Sequence, residues 1–146
     1  MLSLGRLVMD DILHASCVAV AGRGALILGA SGSGKSALAL ELMALGAQLV
    51  ADDRVIVAAE GGRIVAQAPK TIAGRIEARF VGILNADAAG RVPLALVVDL
   101  DIDETERLPP HRSKKILGIP LPLLHNAGTR HFPAAILQYL KAGRSD

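Results

Sequence analysis

The sequence predicts an α/β fold in which a glycine-rich loop joins a strand to a helix and later strands look antiparallel, and three observations carry that prediction. A glycine-rich segment at residues 29–36 lies between an apolar run and a run of strong helix formers. The apolar stretches after it follow one another too closely for strand and helix simply to alternate. A further apolar stretch, residues 94–100, follows a proline and has the look of a buried strand.

Composition sets the outer bounds. With 146 residues, 51% of them hydrophobic, the chain fits one domain with one core over residues 1–146. Aromatic residues make up only 2%, so Leu, Val, Ile and Ala must fill that core, and no stacking surface for bases is expected. Sixteen Lys and Arg against 14 Asp and Glu leave a formal charge of +2, too near balance to point to a nucleic acid partner. Residues 1–11 combine Arg6 with Asp10 and Asp11 and hold too short an apolar stretch for a leader. No run approaches the roughly 18 apolar residues of a membrane span, so no membrane and a cytoplasmic location are expected. Cys17 has no partner in the chain and sits in an apolar run, which reads as an inert, buried thiol.

Taken in order, residues 17–20 and 25–28 read as strands joined by a tight turn at Gly22-Arg23-Gly24. Residues 36–45 read as a helix: Leu38, Leu42 and Leu45 recur on one side, and Gly46 is placed to stop it. Residues 48–51 form a short strand ending at Asp52-Asp53. Residues 54–59 and 64–68 form a hairpin about Glu60-Gly61-Gly62-Arg63, closed by Pro69. Residues 72–79 are ambiguous between helix and strand, because Gly74 weakens both. Residues 94–100 are a strand, residues 101–107 a charged connection, and Leu108-Pro109-Pro110 breaks any helix. Pro120 and Pro122 reduce residues 116–124 to at best an edge strand. Pro133 fits the first turn of a closing helix over residues 134–142.

The segment Gly29-Ala30-Ser31-Gly32-Ser33-Gly34-Lys35-Ser36 matches the whole eight-position phosphate-loop pattern. Glycines there let successive N–H groups turn toward an anion, and the following helix adds its own unpaired N–H groups and dipole. Lys35 is placed to bridge the outer phosphates, and the Ser36 hydroxyl to take one position on Mg²⁺. These eight residues are the expected cradle for the phosphates of a nucleotide with Mg²⁺. The magnesium-side carboxylate stays open between Asp52-Asp53, which follow a strand close after Ser36, and Asp99, which ends the run Leu94 to Val98 but with Asp101 and Asp103 could equally be a solvated strand end. Adjacent carboxylates repel, so one of Asp52 and Asp53 should face a cation while the other is satisfied by backbone or a basic partner.

Several blocks together resemble the catalytic domain of bacterial HPr kinase/phosphorylase, in its short, alphaproteobacterial-type form. They are His14-Ala15-Ser16, the phosphate loop, Ala39-Leu40-Glu41-Leu42 and Val50-Ala51-Asp52-Asp53-Arg54-Val55. Glu77-Ala78-Arg79 with Gly82-Ile83 is similar to that family's second signature, and Glu106-Arg107-Leu108 to a later one. Phe80 stands where the second signature usually has glycine. The resemblance implies a phosphoryl transfer from ATP to a serine of the phosphocarrier protein HPr, reversible with phosphate to give pyrophosphate.

It further implies that Asp52 takes the acceptor's proton in the forward direction and returns one in reverse. His14 would stand near the terminal phosphate, although a surface histidine at a strand start is its ordinary reading. Glu77 would ligate magnesium, Arg107 would bring charge to the phosphate side, and Asp53 would support the site or touch the metal. Arg79 falls in the segment tied to the reverse reaction, or pairs with a carboxylate. The fold implied is that family's P-loop-containing catalytic domain, an α/β core with a mixed, partly antiparallel sheet and helices, assembled as a homo-oligomer, a hexamer.

Two other readings are weighed beside it. A small-molecule kinase would close an arginine-rich lid over its acceptor to exclude water, and the chain shows no such segment between two helices. A nucleotide-binding regulatory protein would change shape without transfer, and no guanine-selecting Asn-Lys-x-Asp segment strengthens it. Arg112, Lys114 and Lys115, after two prolines, are either a solvated loop or a mobile element meeting an acidic partner.

Overall fold

A computed structural model describes residues 9–146, so most of the leader argument over residues 1–11 lies outside the described residues. Strand β1 (Asp10–His14) leads into β2 (Ser16–Val20) and β3 (Arg23–Leu28). Ala21 and Gly22, with φ of 54° and 72°, give the β2–β3 turn the twist that a two-residue hairpin needs. Helix α1 (Lys35–Ala44) follows the glycine-rich loop and falls within a residue of its expected position. Strands β4 (Gln48–Ala51), β5 (Arg54–Glu60) and β6 (Arg63–Gln67) come next, the last two turning at Gly61-Gly62 as expected.

The ambiguity over residues 72–79 resolves as a 3-10 turn at Lys70–Ile72 and then strand β7 (Arg75–Ala78). That strand pairs only with β8 (Gly82–Asn85) in a separate two-stranded ribbon. Strand β9 (Val92–Asp103) is much longer than residues 94–100. Asp101 to Asp103 belong to it rather than to a connection, because pairing with β11, which reaches Asp103 through Asn126, overrides the low strand propensity of aspartate. The basic residues Arg112, Lys114 and Lys115 lie in β10 (Arg112–Ile116), not in a loop. Antiparallel pairing with β11 (Ile119–Asn126) supplies the partners that an isolated basic segment lacks. The prolines of β11 face only β10, and β11 joins β9 from Leu123 onward, where every residue again has an N–H to offer. Helix α2 (Phe132–Ala142) closes the chain with Pro133 in its first turn.

The main sheet runs β1-β5-β6-β9-β3-β2-β4, with β10 and β11 attached alongside β9. It is mixed: β9 is parallel to β3 and β11 but antiparallel to β6. Alternation along the central strands places side chains in two cores. Ala25, Ile27, Leu96 and Val98 meet Leu38, Leu42, Ile136 and Leu140 of the two helices on one face. Leu26 and Val97 meet Val55, Val57 and Ile64 on the other, where the antiparallel strands cover them. Cys17 is fully buried in this second core, and burial pushes its thiol well above the usual range. Because β3 and β9 run parallel, both end at the same edge, beside the start of α1.

Candidate functional site

Residues 29–36 cross that edge from β3 into α1. Gly32 and Gly34 have φ of 82° and 101°, a left-handed backbone that side chains disfavour. Gly29 is required for a different reason: a Cβ there would stand 2.3 Å from Ser33 Oγ. The Ser33 N–H donates to Ala30 O at 3.0 Å, and the first helical turn closes from Leu38 N to Gly34 O at 2.9 Å. Lys35 is buried, and its Nζ donates to the carbonyls of Gly29 at 2.8 Å and Ala30 at 3.0 Å. An ammonium has three donors, so one remains for a ligand.

The carboxylates arrive from the turn between β4 and β5. Asp53 has a φ of 70°, and Arg54 N donates to Asp52 O at 2.8 Å, so the chain reverses within one residue. This turn sends the two side chains apart. Asp52 is buried, its Oδ1 accepting from the Ser36 and Ser16 hydroxyls, each at 2.7 Å, and its Oδ2 from Glu77 N at 3.1 Å. Asp53 is solvent-facing, with Oδ1 3.3 Å from His14 Nδ1, and His14 Nε2 lies 3.5 Å from Ser31 Oγ.

A cavity of about 540 Å³ is walled by His14, Ser16, Lys35, Ser36, Asp53 and Glu77 among others, with the buried Asp52 bonded to Ser16 and Ser36 behind that wall. Leu40, Ala78 and Val81 supply an apolar side. A second hollow runs along residues 77–83 and contains no part of the phosphate loop. There Phe80 is fully exposed with a φ of 69°, the left-handed state that glycine takes more readily.

The structure thus brings together the eight loop residues, Asp52, Asp53, His14 and Glu77. Arg107 is not among them: it is exposed on the connection between β9 and β10 and does not line the cavity. Asp99 is also elsewhere, its Oδ1 accepting from Asp101 N at 2.9 Å. Asp101 was not anticipated: both its carboxylate oxygens lie 3.0 Å from the N–H of Ala30, fastening the start of the loop to β9. Its only signal in the sequence is the alternation Asp99, Asp101, Asp103 at a strand end, which says nothing about a partner 71 positions earlier.

The donor set fits a nucleotide with magnesium. Nothing stands within 4 Å of the outward side of Gly32 or Gly34, so their backbone is open to an anion beside the Lys35 ammonium. Among the described residues no group of three His, Cys, Asp or Glu side chains could hold a metal unaided. That suits Mg²⁺, which commonly relies on one or two protein ligands, water and substrate phosphates. Ser36, backed by Asp52, is the group that would hold it, with Glu77 and Asp53 on the cavity wall. Among the described residues no helix is long and apolar enough to cross a membrane.

Comparison with known proteins bears on the same residues. The family model for the HPr Serine kinase C-terminal domain matches residues 5–119. The HPr kinase/phosphorylase of Brevibacillus brevis is 38% identical over 122 residues, which cover 78% of this chain and 38% of that protein. That of Geobacillus thermodenitrificans is 39% identical over 132 residues, covering 82% and 43%. The chain therefore spans about two-fifths of the length of these relatives. A solved structure, the Hpr(Ser) kinase/phosphatase from Coxiella burnetii, superposes with a TM-score of 0.75 over 90% of this chain and 94% of its own. At 24% identity that likeness speaks for the shared fold.

Proposed function

This chain belongs to the HPr serine kinase C-terminal domain family, and we propose that it transfers the terminal phosphoryl group of ATP to a serine of the phosphocarrier HPr. The observation that carries the reading is Lys35, a buried ammonium already held by two loop carbonyls with one donor to spare, beside two left-handed glycines. Such a group stabilises charge developing on a transferring phosphoryl without having to move. Magnesium, when bound, would neutralise charge on the phosphates.

Asp52 is the proposed proton acceptor. A carboxylate offers about four acceptor positions, and Ser16, Ser36 and Glu77 N use three, leaving one on Oδ2 for the serine hydroxyl. As the serine oxygen bonds to phosphorus, the bond to the ADP oxygen breaks and the proton passes to Asp52. In reverse, inorganic phosphate would attack the phosphoserine phosphorus, the bond to the serine oxygen would break as Asp52 returns a proton to that oxygen, and pyrophosphate would form. Asp53 holds the His14 ring at the cavity mouth, where it can donate to a phosphate oxygen. In this reading Arg107 acts only after its connection moves, and Arg79 meets the incoming phosphate. The working form is taken to be a cytoplasmic homo-oligomer, a hexamer.

The test is to combine the protein, ATP, Mg²⁺ and HPr from its own organism and locate added mass on HPr. A single phosphoserine is expected. Correctly folded protein that binds ATP but modifies nothing would exclude the reading in favour of a regulatory role. Transfer to a metabolite alone would make the protein a small-molecule kinase.

A further inference from the structure

Asp52 Oδ1 accepts two hydroxyls, and only one of them belongs to the phosphate loop. Ser36 has a second duty toward the phosphates. Ser16 lies outside the loop: it sits on β2 in the wall of the same cavity, has no exposed surface, and makes one side-chain hydrogen bond, to Asp52 at 2.7 Å. Its place in the sheet calls for something else. Ser16 lies opposite Ile27 and two residues before Val18, both in the core under the helices, so an apolar side chain would fit that face. A hydroxyl in such a place is tolerated only when it is bonded.

Resting on the functional reading above, we infer that Ser16 is a positioning residue, which fixes the Asp52 carboxylate so that Oδ2 is the oxygen presented to the acceptor serine. With Ser16 and Ser36 both on Oδ1, the carboxylate cannot turn about its own axis without losing two charge-assisted bonds. Without Ser16, Oδ1 gains an empty acceptor position, and either oxygen can meet the incoming hydroxyl at a poorer angle. General-base transfer depends on that geometry first.

The experiment compares wild type with Ser16→Ala and Ser16→Thr, measuring kcat for HPr phosphorylation, KM for ATP, and binding of Mg²⁺ and ADP by calorimetry. Ser16→Ala should lower kcat about 10- to 100-fold, the order expected for a misplaced catalytic group. KM for ATP and ADP affinity should stay within about twofold, and Ser16→Thr, which keeps the hydroxyl, should recover most of the rate. In an Asp52→Asn background, Ser16→Ala should have no further effect, since coupled groups are not additive. Should the alanine variant fail to fold, Ser16→Cys, with a weak donor in the same slot, should turn over several-fold more slowly than wild type with ADP affinity unchanged, and a cysteine variant as fast as wild type would overturn the inference.

An undiminished kcat in Ser16→Ala, a threonine variant as slow as alanine, or loss of ADP binding in step with kcat would each overturn the inference alone. A wild-type protein that binds ADP yet phosphorylates nothing would instead remove the functional reading and this inference with it.

Discussion

Lys35 Nζ donates to the carbonyl oxygen of Gly29 at 2.8 Å, so the ammonium is tethered by the loop it serves. Lys35→Met keeps the length of the stem and removes the charge. Phosphoryl transfer should fall at least about 100-fold, the order seen for loss of one preorganised donor. ADP affinity should also weaken, read by calorimetry at saturating Mg²⁺. Equal rates for the variant and wild type would place the chemistry outside this cavity.

Asp52 and Asp53 are neighbours with opposite orientations, and their amide variants should separate cleanly. Asp52→Asn puts an NH₂ where Glu77 N or one of the two hydroxyls must find an acceptor, so thermal stability should drop by about 1–3 kcal/mol, the penalty of an unsatisfied buried group. Transfer should fall by about 10²- to 10⁴-fold, as expected for loss of a general base. Asp53→Asn, at an exposed carboxylate 3.3 Å from His14, should leave stability nearly unchanged and reduce the rate less. The reverse order in steady-state kinetics would transfer the proton-accepting role to Asp53.

Gly29→Ala tests the packing beneath the loop. The added methyl would stand 2.3 Å from Ser33 Oγ and 3.3 Å from Leu100 Cβ. Overpacking of this kind destabilises by about 1–3 kcal/mol, visible as an earlier midpoint in urea. Ser33 Oγ is buried without a hydrogen-bond partner, so its removal loses no bond. Gly29→Ala combined with Ser33→Gly should therefore be more stable than Gly29→Ala alone.

Glu104 tests the link between acid and loop structure. Its carboxylate accepts from Arg112 Nε at 3.2 Å and Nη2 at 3.0 Å, and from Thr105 N and Glu106 N. The Arg112 guanidinium, followed by those backbone groups, holds its carboxyl below the ordinary value of 4.5. A carboxyl depressed in the folded state contributes stability that is present above its unfolded pKa and lost as pH falls through its folded one. The Tm difference between wild type and Glu104→Gln should thus be constant from neutral pH to about 5 and close at lower pH. A difference unchanged down to about pH 3 would exclude the pairing.

The phosphate loop and its flanking strand and helix were legible because their determinants are local: glycine at fixed offsets, a lysine and a hydroxyl, and helix formers directly after. Strand β4 and the pair Asp52-Asp53 were legible for the same reason. Strand β1 was not, since Asp10-Asp11 carries no alternation and its order comes from pairing with β5. Strand β10 was hidden by its charges, which an edge strand tolerates once β11 supplies its hydrogen bonds. The contact of Asp101 with Ala30 and that of Ser16 with Asp52 join segments distant in the chain, and no periodicity encodes them. Arg107 shows the converse, a motif that is plain in sequence and yet stands away from the cavity.

The three donors to Asp52 come from 36 positions before it, 16 before it and 25 after it. Such contacts close late, because each long separation must first be bridged against chain entropy. Asp52 therefore has its full set of partners only when the β7–β8 ribbon, which carries Glu77, is in place. In the reading proposed above, a chain without that ribbon in place would hold its lysine but no oriented base.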